Sequence, residues 1–288
     1  MDRVIEELTS WLKSLLVDGV MSVIEDMFQS VNDQVGDITS QVATTPSAFQ
    51  PAVFNMIRNL SETVIMPIAG MILTFIACYE LIQLVIAHNN LANFETWIFF
   101  KWIFKTYVAV MMITHCFDIT MAVFDVAQHV VNNSGGLISA STAIDDSALS
   151  SMRATVEAMD MAAIFGLFFQ VLFVSIATQI ISAFIFVVIY GRMLEIYLSI
   201  SLAPIPFATF GNREQSQIGQ NYLRGLFALG FQGFLIMVCL AIYAVMIQSV
   251  AFSSDIVGSM WAVLGYTVLL CYSLLKTSSL SKSIFSAR

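Results

Sequence analysis

The chain has 288 residues, of which 58% are hydrophobic and only 11% charged, with a mean hydropathy of +0.82 and a formal net charge of −8. A soluble domain carries about a quarter charged residues, so an ordinary water-soluble fold is excluded. The pI near 4.7 argues against a standing basic surface for nucleic acid.

Apolar residues recur through residues 1–31 at Val4, Ile5, Leu8, Leu12, Leu15, Leu16, Val20, Val23, Ile24, Met27 and Phe28, the three- and four-residue spacing of one helical face. The other face carries Glu6, Glu7, Asp18, Glu25 and Asp26 against Arg3 and Lys13. A helix made to lie on anionic lipid is rich in Lys and Arg, so an acidic one is expected to pack against protein. The start of the chain lacks a basic stretch followed by an uninterrupted apolar core, and insertion is expected to rest on the membrane segments themselves. Residues 32–60 are polar, with Pro46 and Pro51, and read as a loop or linker.

Long apolar runs follow at residues 63–87, 97–131, 161–189, 225–252 and 260–275, each near or above the ~20 residues of a membrane-crossing helix. A shorter run, 194–210, is interrupted by Pro204 and Pro206. Only helices and closed barrels satisfy their backbone inside lipid, and runs this continuous do not alternate as barrel strands do. The expected fold is therefore all-α: a polytopic membrane protein with five to six transmembrane helices and an N-terminal amphipathic helix. Residues 1–60 form the amphipathic helix and linker, and 61–288 the membrane domain. Within the latter, 132–160 is an extramembrane loop containing a helical stretch at 147–159. Counting Lys and Arg near span ends, five spans with the N-terminus outside place most basic residues inside. Six spans with both termini inside divide them less sharply.

The second run holds the most informative polar pattern. Lys101, His115, Asp118, Asp125 and His129 fall within about a third of a helical circumference. Charges inside a bilayer cost several kcal/mol unless they face protein or water. The stripe therefore reads as the lining of an aqueous path or as an ion-pair network. The alternative is that its outer members simply sit at the interfaces. Glu80 and Glu195 are further intramembrane carboxylates, and Glu195 stands three residues from Arg192. Gly191, Pro204 and Pro206 mark expected helix breaks. Gly225, Gly230 and Gly233 give the fourth long run a small-residue packing face.

Cys78, Cys116, Cys239 and Cys271 lie in apolar segments without CxxC spacing, the pattern of buried thiols. No HExxH, P-loop, GxSxG or GxGxxG occurs, and the three histidines are not spaced as metal ligands. No catalysis, cofactor or metal is expected.

Several segments carry a resemblance: 35–46 (VGDITSQVATTP), 56–63 (MIRNLSET), 79–83 (YELIQ) and 93–105 (NFETWIFFKWIFK). Further on come 121–126 (MAVFDV), 190–193 (YGRM), 203–208 (APIPFA) and 219–224 (GQNYLR). In this order the chain resembles the TrbL-like, VirB-type polytopic subunits of conjugative type IV secretion systems, in the form found on integrative and conjugative elements of Gram-positive bacteria. The resemblance implies an integral channel or scaffold subunit in the cytoplasmic membrane. Such a subunit works in several copies, a pentamer being one arrangement, and helps single-stranded DNA with its relaxase to cross. Its partners would be the lipid bilayer and other secretion subunits, including the ATPases that supply energy. The competing reading is a secondary transporter or ion-coupled permease. Such transporters show two related halves with matching broken helices, whereas one broken segment and no repeat are visible here.

Overall fold

The computed structural model describes residues 2–87, 96–137, 146–212, 214–251 and 255–287. The connector 88–95, Arg213 and Arg288 lie outside them. Among the described residues the regular elements are all helical. They are α1 (Asp2–Val42), α2 (Pro46–Phe49), α3 (Pro51–Leu60), α4 (Met66–Ala87), α5 (Thr96–Thr114), α6 (Cys116–Leu137), α7 (Asp146–Ala158), α8 (Met161–Ser201), α9 (Pro204–Ala208), α10 (Ser216–Ala251) and α11 (Ile256–Ile284). Among the described residues, five helices are long and apolar enough to cross a membrane: Pro51–Ala87, Thr96–Thr114, Met161–Ser201, Ser216–Val250 and Ile256–Ile284. The protein is an all-α polytopic membrane protein.

Two expectations change. Residues 32–60 are not a loop: α1 continues to Val42 and two short helices follow, each with proline in its first turn, where a missing N–H costs nothing. The run 97–131 is not one span, because regular helix is interrupted at His115. Backbone bonds continue on both sides, from His115 N–H to the Met111 carbonyl (3.1 Å) and from Ile119 N–H to the His115 carbonyl (3.0 Å). Between α3 and α4, residues Ser61–Ile65 form a π turn in which the Met66 N–H reaches back to the Ser61 carbonyl. Pro67 follows at once. It has no N–H and its ring would crowd the carbonyl four residues earlier, so the widened turn stands where the regular ladder fails.

The chain divides into two compact units: Met1–Val42 with Asn133–Ile189 and Leu235–Thr277, and Ala43–Asn132 with Tyr190–Phe234 and Ser278–Arg288.

In the first unit, α1 lies along α8. Gly19 faces the Phe168 ring, and the Ser182 hydroxyl donates to Gln34 Oε1 at 2.9 Å. Positions 19 to 34 and 168 to 182 advance together, so the helices are parallel. Val17, Val20, Ile24, Val31, Val35, Ile38 and Val42 are buried and occupy roughly 60° of arc at about 100° per residue. The apolar stripe of α1 does not keep to that face. Leu8, Leu12, Leu16, Val20, Ile24 and Phe28 recur every four residues, and each step over-rotates by about 40°. Exposure falls along the series, from 59% at Leu8 and 39% at Leu12 to 0% at Val20 and Ile24. Residues 4–15 consequently present Val4, Leu8, Trp11 and Leu15 on the side opposite the packed face, and all four are exposed. The one-faced helix expected for residues 1–31 is in fact two faces joined by a drift. α7 packs its Met152 and Val156 inward, and Arg153 pairs with Asp18 of α1. The Tyr243 and Thr267 hydroxyls join α10 to α11 at 2.9 Å.

In the second unit, one core gathers Ile57, Phe117, Phe124, Met193, Ile196 and Leu226, and a second gathers Ala69, Leu73, Ala109, Ile113, Ala203 and Phe207. The second core encloses the proline segment. Neither Pro204 nor Pro206 can donate a backbone bond, and α8 ends at Ser201 before the short, buried α9. Five residues of helix are too short to cross a bilayer, so 194–210 is no sixth span. Gly191 is not a break: α8 runs through it unbroken, since a glycine weakens a helix by about 1 kcal/mol without removing a donor.

Candidate functional site

For a membrane-embedded chain without a catalytic motif, function resides in polar groups held among apolar helices. Each such group must be paired, solvated or covered. In the second unit Lys105 Nζ donates to Glu80 Oε1, and Trp102 Nε1 donates to the Ala77 carbonyl at 3.1 Å, so two bonds clamp α5 to α4. A lone charge at mid-bilayer costs about 2.5–3.5 kcal/mol on insertion scales, and this pair cancels two of them. Glu195 does not pair with Arg192, as its spacing suggested; it accepts from Lys282 Nζ of α11 at 2.6 Å. Arg192 points inward instead and, among the described residues, donates to the Leu229 carbonyl alone, at 3.4 Å. The local i,i+3 pairing loses because Arg192 lies on the buried face of α8.

The corner after α8 is stapled by one side chain. Thr209 Oγ1 donates to the Pro206 carbonyl (2.7 Å) and accepts from the Gly219 N–H (3.1 Å). Tyr222 closes it by donating to the Ser199 carbonyl at 2.8 Å. A Cβ on Gly219 would stand 2.8 Å from the Pro206 carbonyl oxygen and 2.7 Å from the Phe210 ring, so α10 can start here only with glycine. Gly230 brings α10 against α6, where an added Cβ would stand 2.8 Å from that of Ala127. Gly233 is buried, and Gly225 has open space around its Cα.

All five members of the expected polar stripe are exposed. Only Lys101 belongs to a spanning helix, with its Nζ 5.6 Å from the centre of the Trp97 ring. His115 sits at the interruption, 3.7 Å from Asp118. Asp118, Asp125 and His129 share the outer face of amphipathic α6, opposite the buried Cys116, Phe117, Thr120, Phe124 and Ala127. Burial pushes the Cys116 thiol up to about 11. The stripe is thus one polar helix face plus a lysine of the preceding helix, not a line along a single span.

One groove was not foreseen. In the first unit, a space of about 550 Å³ runs between α1 and α8. Asp26, Gln29, Asp33 and Asp37 form its polar wall, and Ile185, Phe186 and Ile189 its apolar floor. The recurrence of aspartate at intervals of seven and four residues was the available signal; it marks one face of α1.

These features define a class: a polytopic helical membrane protein whose carboxylates Glu80 and Glu195 pair with lysines of other helices, while two amphipathic helices carry acidic faces. The family described as TrbL/VirB6 plasmid conjugal transfer like protein matches residues 31–204, more than half of the chain. The chain belongs to this family and is a membrane subunit of the conjugative type IV secretion kind. No curated protein and no solved structure matches it.

Proposed function

We propose that this protein is a channel or scaffold subunit through which a conjugative apparatus moves single-stranded DNA with its relaxase across the cytoplasmic membrane. The observation that carries this reading is the family match over residues 31–204, which takes in α2 to α8 and the start of the proline corner. The subunit acts in several copies with its N-terminus outside, and partner ATPases supply the energy. Few free basic groups line its helices, and weak binding suits a conduit that must release its cargo. The test is conjugation frequency after in-frame deletion of the gene, with the gene restored in trans. Loss of transfer with recovery on complementation supports the reading. Unchanged transfer would refute it and bring the solute-permease alternative forward. Crosslinking of transferring DNA to this subunit then separates a conduit from a scaffold.

A further inference from the structure

The groove between α1 and α8 has a depth in the membrane that can be worked out. From Met161 to Gly191, α8 carries no charged residue. Wherever the ~20 residues that span the hydrocarbon layer are placed within that run, residues 172–180 lie inside it. The parallel register, Gly19 beside Phe168 and Gln34 bonded to Ser182, sets about residues 23–32 of α1 beside them. Glu25, Asp26 and Gln29 belong to that stretch, and all three are exposed. Asp26, Gln29, Asp33 and Asp37 fall within roughly 80° of arc, on the side of α1 away from its buried stripe. Among the described residues, none of these three aspartates has a cationic partner. Lipid cannot cover such a face.

We propose that this groove is the docking site of a membrane helix from another subunit, one that carries Lys or Arg along a single stripe. The proposal rests on the reading of this chain as one subunit of a multi-protein apparatus. Charge complementarity selects the partner. An acidic wall beside an apolar floor accepts a helix whose basic edge meets Asp26, Asp33 and Asp37 while its apolar edge fills the space over Ile185 and Phe186. Among the described side chains, a second copy of this chain offers no such basic stripe. Arg58, Lys105, Arg153 and Lys282 are already paired with its own carboxylates, and Arg192 is buried. Among the described side chains, the others (Lys13, Lys101, Arg224 and Lys276) stand singly on four different helices.

The test places a photo-crosslinking amino acid at Gln29, in the full-length protein, in donor cells that carry the whole apparatus. A second site at Phe184, exposed on α8 outside the groove, serves as the control. From Gln29, but not from Phe184, the expected product joins a different subunit, at a segment with two or more Lys or Arg at helical spacing. The product should fall at least about tenfold in Asp26→Lys/Asp33→Lys/Asp37→Lys. If that variant fails to accumulate, Asp26→Asn/Asp33→Asn/Asp37→Asn is read in its place, and a clear loss is again expected. A product with a second copy, a product indifferent to these charges, or no protein product at all would overturn the proposal. The deletion experiment is unaffected by any of these outcomes, so the two readings fail separately.

Discussion

The Glu80–Lys105 pair gives the most quantitative handle on this fold. Helix α5 has 19 residues, about 28 Å at 1.5 Å per residue, which matches the ~30 Å hydrocarbon layer. Lys105 stands at its middle, so its bond to Glu80 lies near the centre of the layer. Lys105→Met leaves the Glu80 carboxylate alone at that depth, and the cost is about 2.5–3.5 kcal/mol. That is roughly 60- to 300-fold in the folding equilibrium, at about 1.4 kcal/mol per factor of ten. Glu80→Gln leaves the ammonium, whose four-carbon stem can reach toward the interface, so its cost is smaller, about 1–2 kcal/mol. The double variant removes both charges and is expected to return to within about 1 kcal/mol of the parent. The assay is reversible unfolding in mixed micelles, followed by tryptophan fluorescence, with the four proteins read as a double-mutant cycle. Losses that simply add in the double variant would refute the pairing and the depth assigned to it.

Gly219→Ala is expected to destabilise by about 1–3 kcal/mol through its clash with the Pro206 carbonyl. Gly225→Ala, with nothing within 4 Å of the new methyl group, gains about 1 kcal/mol of helix propensity; thermal midpoints in detergent that fail to separate the two would contradict the corner geometry. Asp118→Leu should lower conjugation frequency more than Cys239→Ala while leaving thermal stability unchanged, because the Asp118 side chain is 70% exposed. Equal transfer by both variants would remove the outer face of α6 from function. In a variant retaining Cys116 as its only cysteine, maleimide labelling at pH 8 should be negligible until the protein is denatured. A thiol whose pKa is raised to about 11 holds little of the reactive thiolate three units below it. Rapid labelling of the folded protein would show that this thiol is not buried.

The spans were legible because length and lack of charge suffice to identify a membrane helix, as α4, α10 and α11 illustrate. The proline corner was legible for an equally local reason, the missing donors of Pro204 and Pro206. Gly191 misled because a permissive residue allows a break without forcing one, and the surrounding helix held. Long-range pairing left no local trace. Glu80 finds Lys105 across 25 positions and Glu195 finds Lys282 across 87, while the nearer Arg192 turns inward. The α1 groove was half-legible. Its aspartates are visibly periodic, but their importance comes from the neighbour, α8, that sets their depth.

The parallel course of α1 and α8 also constrains the threading of the chain. If α1 accompanies α8 through the layer in the same direction, an odd number of passages must separate them. Between Val42 and Met161 the apolar helices α4 and α5 supply two. With 13 residues, α7 reaches only about 20 Å, whereas α6 has 22 and reaches about 33 Å. Of the two, only α6 has the length for a third passage, and Asp118, Asp125 and His129 would let it cross only beside protein or water.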